Sequence, residues 1–146
     1  MTIEEFIEAL TKILNLDAGV IEEQFGVTVE FDRRFDVTIE IAKSTHQAYL
    51  HAPVLIVPTE NRDGLLALVL QLHMFGLATG GNTFGYDPQR SRLLLFRVLD
   101  LPNLAAASVG DLIESFVNQL ERWAQHLSQF NPNATSDMKP LLHLQA

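Results

Sequence analysis

The sequence predicts an α+β fold with the element order α-β-β-β-α-β-β-α, a twisted and mainly antiparallel sheet packed by helices, assembled as a homodimer. Three observations carry that reading. Apolar residues recur at helical spacing in three separate stretches, and five other stretches are short, apolar-rich and bounded by turn residues. The middle helical stretch is apolar almost all round, which asks for cover on two sides. At 146 residues with 47% hydrophobic side chains, the chain can bury roughly 70% of the surface its unfolded form exposes, so it needs no covalent staple.

The first helix is announced by Thr2 followed by Glu5, the spacing of a capping box. Ile3, Phe6, Ile7, Leu10, Ile13 and Leu14 then form one apolar stripe. Gly19 and Gly26 punctuate the stretch after it. Val27, Val29 and Phe31 alternate with Thr28 and Glu30, and Val37, Ile39 and Ile41 alternate with Thr38 and Glu40. Period two on both sides of Asp32-Arg33-Arg34 predicts a β-hairpin with one buried face. Gln47 to Val57 is a third extended segment, in which Pro53 and Pro58 point to an edge, a bulge or an early end.

Asn61 is the expected N-cap of a second helix, from about Arg62 to Phe75. The sheet supplies one cover for DGLLALVLQLHMF. The second comes either from another copy of the chain, the simpler source, or from the third helix within one subunit. Gly76, Gly80 and Gly81 break this helix. Asn82 to Tyr86 and Arg92 to Leu99 are then two strands around an Asp87-Pro88 turn. In the last strand Leu93, Leu95 and Leu99 share one face and Leu94, Phe96 and Val98 the other, so both faces call for cover. Ser108 with Asp111 opens the strongest helix, whose stripe runs from Val109 to Leu127 through Phe116 and Trp123. The expected organisation is one domain over residues 1–130 and a flexible tail over 131–146, where NPNATSDMKP is a run of turn and breaker residues.

Charge and motifs narrow the function. Eighteen acidic against ten basic side chains give a net charge of -8, and residues 1–30 alone hold seven acids and one base, Lys12. Nucleic-acid binding, which draws on clustered Lys and Arg, is not expected. Gly64 to Tyr86 has no charged residue, but its five glycines, Gln71, His73, Thr79 and Asn82 do not suit a lipid-facing helix, so no membrane insertion is expected. Glu4, Glu5 and Glu8 stand where an export signal would carry bases, so none is expected. The absence of cysteine excludes a disulfide framework and fits a reducing compartment.

The five histidines fall in no metal-ligand spacing. No GxSxG nucleophile elbow occurs. The run GLATGGNTFG lacks the lysine of a phosphate loop and reads as a helix stop followed by a tight turn into a strand. The chain is therefore not expected to be an enzyme, and no cofactor or metal is implied.

Residues 72–99, LHMFGLATGGNTFGYDPQRSRLLLFRVL, resemble the second helix, glycine break and last two strands of the class I chaperones of bacterial type III secretion, the Tir-chaperone-like family. Residues 112–127, LIESFVNQLERWAQHL, resemble that family's last helix, where a bulky aromatic commonly stands at the place of Trp123. The likeness covers about residues 2–130, with His73 a departure where relatives often carry Asn. It implies a small acidic homodimer in the bacterial cytoplasm that binds the extended N-terminal segment of a secreted effector, keeps it stable and secretion-competent, and releases it at the secretion ATPase. The alternative is a non-secretion adaptor or immunity protein of the same fold that binds one folded partner.

Apolar strips beside acidic helices suit strand addition and helix-in-groove capture of an unfolded client. On that reading the client-binding residues are Phe6, Leu10 and Leu14 on the first helix with Val29, Phe31, Ile39, Leu94 and Phe96 from the sheet. The dimer interface is expected at Leu68, Leu72, Phe75, Phe84 and Tyr86. Any of these would equally serve as ordinary core, where apolar residues on such stripes usually lie.

Overall fold

A computed structural model of the chain describes residues 1–74 and 78–130. The expected tail at 131–146 and Phe75 lie outside the described residues. The elements are α1 (Ile3–Leu14), α2 (Ala18–Gln24), β1 (Gly26–Phe31), β2 (Phe35–Ala42), β3 (Gln47–Ile56), α3 (Arg62–Leu72), β4 (Thr83–Asp87), β5 (Arg92–Asp100) and α4 (Val109–Leu127), with two single-turn 3₁₀ helices between β5 and α4. The fold is α+β with a five-stranded antiparallel sheet in the order β1-β2-β3-β5-β4. Two compact units divide it, Met1–Ala52 with Arg97–Val117, and Pro53–Phe96 with the chain from Asn118.

In the first unit, α1 starts as its sequence dictates. The Thr2 N–H donates to Glu5 Oε2 at 2.7 Å and the Glu5 N–H donates to Thr2 Oγ1 at 3.1 Å, closing the capping box. Phe6, Ile7 and Leu10 are buried. The sequence reading has no counterpart to α2, a seven-residue helix capped by Asp17, whose Oδ1 accepts from the Gly19 N–H at 2.9 Å. Seven residues with one buried side chain, Ile21, are too few to show a period.

The β1–β2 hairpin turns at Asp32 and Arg33, both with φ near +55°, and the Arg34 N–H donates to the Phe31 carbonyl at 3.0 Å. Positive φ at both central residues is the mark of a type I′ turn, whose twist matches that of the flanking strands. Strand β2 alternates buried Phe35, Val37, Ile39 and Ile41 with more open Asp36, Thr38, Glu40 and Ala42. Strand β3 lies between β2 and β5, so of the edge, bulge or early end that its prolines allow, the edge is not realised. Its pairing with β2 ends at Thr38 opposite His51, so Pro53 stands beyond the ladder that its missing N–H would break. The Leu101 N–H donates to the His46 carbonyl at 3.2 Å, at the β5 end of this unit.

In the second unit, Asn61 occupies the N-cap position of α3 but makes no side-chain cap bond and adopts φ 51°. Its side chain lies instead over Gly64, within 2.5 Å of where a β-carbon would stand. Helix α3 buries Leu65, Leu68, Val69 and Leu72. The segment before β4 closes on itself. Thr79 Oγ1 donates to the Asn82 carbonyl at 2.7 Å, and Asn82 Nδ2 donates to the Thr79 carbonyl at 2.9 Å, both residues being buried. Gly80 and Gly81 make that turn with φ of 61° and 86°, a region where a side chain is strained. Trp123, with no exposed surface, donates its Nε1–H to Gln119 Oε1 at 3.1 Å one turn earlier on α4. Among the described residues, no helix is long and apolar enough to cross a membrane.

Candidate binding surfaces

Strand β1 is an edge of the sheet, and its ladder parity decides what that edge offers. The Ile41 N–H donates to the Phe25 carbonyl at 2.8 Å. In an antiparallel ladder hydrogen-bonded pairs alternate with non-bonded ones, so Val27, Val29 and Phe31 turn their backbone groups toward β2. Gly26, Thr28 and Glu30 therefore turn theirs outward, with no partner strand among the described residues. The 2.9 Å contact between Thr28 Oγ1 and Thr38 Oγ1 agrees, because side chains approach most closely across a non-bonded pair.

The apolar row of this edge is Val27, Val29 and Phe31, register partners of Ile39, Val37 and Phe35. The β2 members are buried, whereas the three β1 members remain half-buried for want of a further strand. Of the residues expected to meet a client in this unit, Val29 and Phe31 line the open edge and Leu14 is half-buried at the end of α1. Phe6, Leu10 and Ile39 have no exposed surface and belong to the interior. The surroundings are acidic. Glu4, Glu5, Glu8, Glu22 and Glu23 are exposed on α1 and α2, and Lys12 is held by Glu8 at 2.9 Å.

In the second unit α3 presents two apolar faces. Leu68 and Leu72, expected at the dimer interface, are on the buried one. On the opposite side Leu70 is 73% exposed and Met74 is 56% exposed, with half-buried Leu66 continuing the row one turn earlier. The 66-70-74 spacing carries this second face in the sequence, but nothing in the sequence tells which face turns inward.

The β4–β5 hairpin likewise has two rows. Phe84 and Tyr86 stand opposite Leu95 and Leu93, the buried side of β5. Phe84 meets the Trp123 ring edge-on at 5.8 Å and lies 6.3 Å from the His73 ring. Leu94 and Phe96, expected to contact a client, are half-buried on the other side with Gly85 and Thr83. The Phe96 ring covers Gly85, 3.5 Å from where a β-carbon would be. At the turn, Arg92 and Arg90 both lean on Asp87 Oδ2, at 3.6 and 3.9 Å.

Two features escaped the sequence reading. Ile56 is 77% exposed at the end of β3, and a shallow apolar groove beside it is lined by Leu55, Pro58, Leu65, Leu127, Ser128 and Phe130. Among the described residues, no group of three or more His, Cys, Asp or Glu is placed to hold a metal ion. The surfaces on offer are open edges and apolar rows.

Comparison with known proteins bears on the family and the fold. The model of the Tir chaperone protein (CesT) family matches residues 5–124. Among solved structures, a chain of the ExsC–ExsE complex superposes with a TM-score of 0.63 at 17% identity, covering 87% of this chain and 97% of that one. A chain of the HopA1–SchA chaperone–effector complex gives 0.63 at 12% identity over 86% and 98% of the two chains. A chain of the ExoU–SpcU heterodimeric complex from the type III secretion system of Pseudomonas aeruginosa gives 0.55 at 13% identity over 70% and 78%. At these identities the superpositions speak for the fold. No curated protein sequence matches.

Proposed function

The chain belongs to the Tir chaperone protein (CesT) family, and from that premise we propose that it is a cytoplasmic chaperone of a bacterial type III secretion system. It binds the N-terminal segment of a secreted effector in extended form, keeping it stable and secretion-competent until release at the secretion ATPase. It is a binding protein rather than an enzyme.

The observation that carries this reading is the open β1 edge. Outward backbone groups at Gly26, Thr28 and Glu30 supply a hydrogen-bonding rail, and half-buried Val27, Val29 and Phe31 supply an apolar row beside it. A strand added there gains main-chain hydrogen bonds, which suit many sequences, while its alternate side chains extend the apolar row. In the second unit, half-buried Leu94 and Phe96 form a further apolar strip open to a client segment. Ordering a long segment costs on the order of 2–5 kcal/mol, which a large contact area offsets.

The working form is a homodimer joined through α3. Leu66, Leu70 and Met74 form the contact row, and Leu68 and Leu72 support it from inside. An isologous seam pairs that row with itself.

The test is co-purification of the tagged protein from its own bacterium under secretion-inducing conditions, with mass spectrometry and light scattering of the complex. The expected result is two copies of the chain with one copy of a secreted protein, lost when that protein's N-terminal segment is deleted. A single chain without a partner would overturn the reading. Hydrogen exchange on the bound protein should show protection confined to the contacted segment, whereas a folded partner would be protected throughout.

A further inference from the structure

Among the described residues, the groove beside Ile56 is the apolar hollow whose wall the chain itself reaches as it leaves α4. Leu55, Ile56, Pro58, Leu65, Leu127 and Phe130 line it with Ser128, around a cavity of about 290 Å³. That volume is at the low end for a small-molecule site, and its lining offers a ligand one hydroxyl and no charge. Such a hollow suits a few aliphatic side chains. Ile56 at its rim is 77% exposed, an aliphatic surface left in water by the described residues.

We propose that this groove is a docking site for the chain's own Leu141-Leu142-His143-Leu144 segment. Three arguments favour it over an outside partner. Phe130 is part of the groove wall, so every residue after it is tethered at the site. The ten residues NPNATSDMKP, 131–140, separate Leu141 from Phe130, enough chain to turn back onto a wall the tether itself forms. A short tether holds its end at about millimolar effective concentration, which an untethered client would have to match. Finally, residues 131–146 hold large aliphatic side chains only as Met138, Leu141, Leu142 and Leu144, so the leucine cluster is the part with a reason to leave water. This inference does not depend on the chaperone reading.

The absence of cysteine makes the test free of background. The full chain carrying Ile56→Cys and Leu142→Cys is exposed to a mild oxidant and followed by non-reducing electrophoresis. A bridge within one chain is expected to form at least tenfold faster than in the control carrying Ile13→Cys and Leu142→Cys, Ile13 being another exposed aliphatic position. Equal rates, or bridges formed only between two chains, would overturn the proposal. A second readout is hydrogen exchange of residues 54–57 and 127–130, expected to quicken severalfold in the full chain carrying Leu141→Asp, Leu142→Asp and Leu144→Asp. Unchanged exchange there would also overturn it.

Discussion

Phe84 meets Trp123 edge to face, with ring centroids 5.8 Å apart and planes 80° to one another. The contact joins β4 to the fully buried indole of α4, and it turns Phe84 toward Leu95 and the interior. Aromatic pairs of this geometry contribute about 0.5–1.5 kcal/mol beyond the area they bury. Phe84→Leu should therefore cost about 1 kcal/mol of stability, measurable by urea unfolding, and shift the emission of the only tryptophan. Unchanged stability with altered assembly mass would place Phe84 at an interface instead.

The two faces of α3 respond differently to charge. Leu70→Glu should leave the circular dichroism spectrum intact and yield single chains by light scattering, because Leu70 is exposed within one chain. Leu68→Glu should give insoluble or unfolded protein, since it buries an unpaired carboxylate in the interior. A Leu70→Glu protein that remained paired would show that the seam lies elsewhere.

Strand β1 allows capture to be separated from folding. Proline at position 28 removes an outward N–H from the free edge and leaves the β1–β2 ladder whole. Thr28→Pro should weaken binding of an effector's N-terminal segment at least tenfold by calorimetry, while stability falls by no more than about 1 kcal/mol. Full affinity in this variant would argue against strand addition at β1.

Gly81 tests the turn before β4. No atom lies within 4 Å of where its β-carbon would stand, so Gly81→Ala meets only the backbone strain of φ 86°. The expected loss is about 1 kcal/mol in thermal or urea unfolding. Gly81→Asn should lose less, because asparagine tolerates left-handed conformations.

Local chemistry is readable in the sequence wherever neighbouring residues decide it. Thr2 and Glu5 close their box, and the alternation around Asp32 and Arg33 becomes the hairpin. Asp87 accepts from the Gln89 and Arg90 N–H groups, as its place in the turn requires. Legibility ends where distant packing decides. Pro53 allows an edge, a bulge or an early end, and only tertiary packing decides that it stands in an interior strand past the end of the β2 ladder. Asn61 has a capping side chain by type, but that side chain lies over Gly64. Helix α3 is apolar on two sides as its sequence implies, while Leu68 and Leu70 differ only in tertiary environment. The binding surfaces share this difficulty, because an apolar residue bears the same pattern whether the next strand is present, as for Val37, or missing, as for Val29.

The open β1 edge also bears on how copies of the chain treat one another. An unpaired rail that accepts a foreign strand accepts a sibling's equally well, and repeated pairing of that kind builds fibres. Glu30 on the rail, within a chain of net charge -8, makes such self-pairing repulsive while a neutral or basic segment is admitted. Salt that screens these carboxylates removes the discrimination, so colloidal behaviour at high ionic strength becomes a readout of how exposed the rail is.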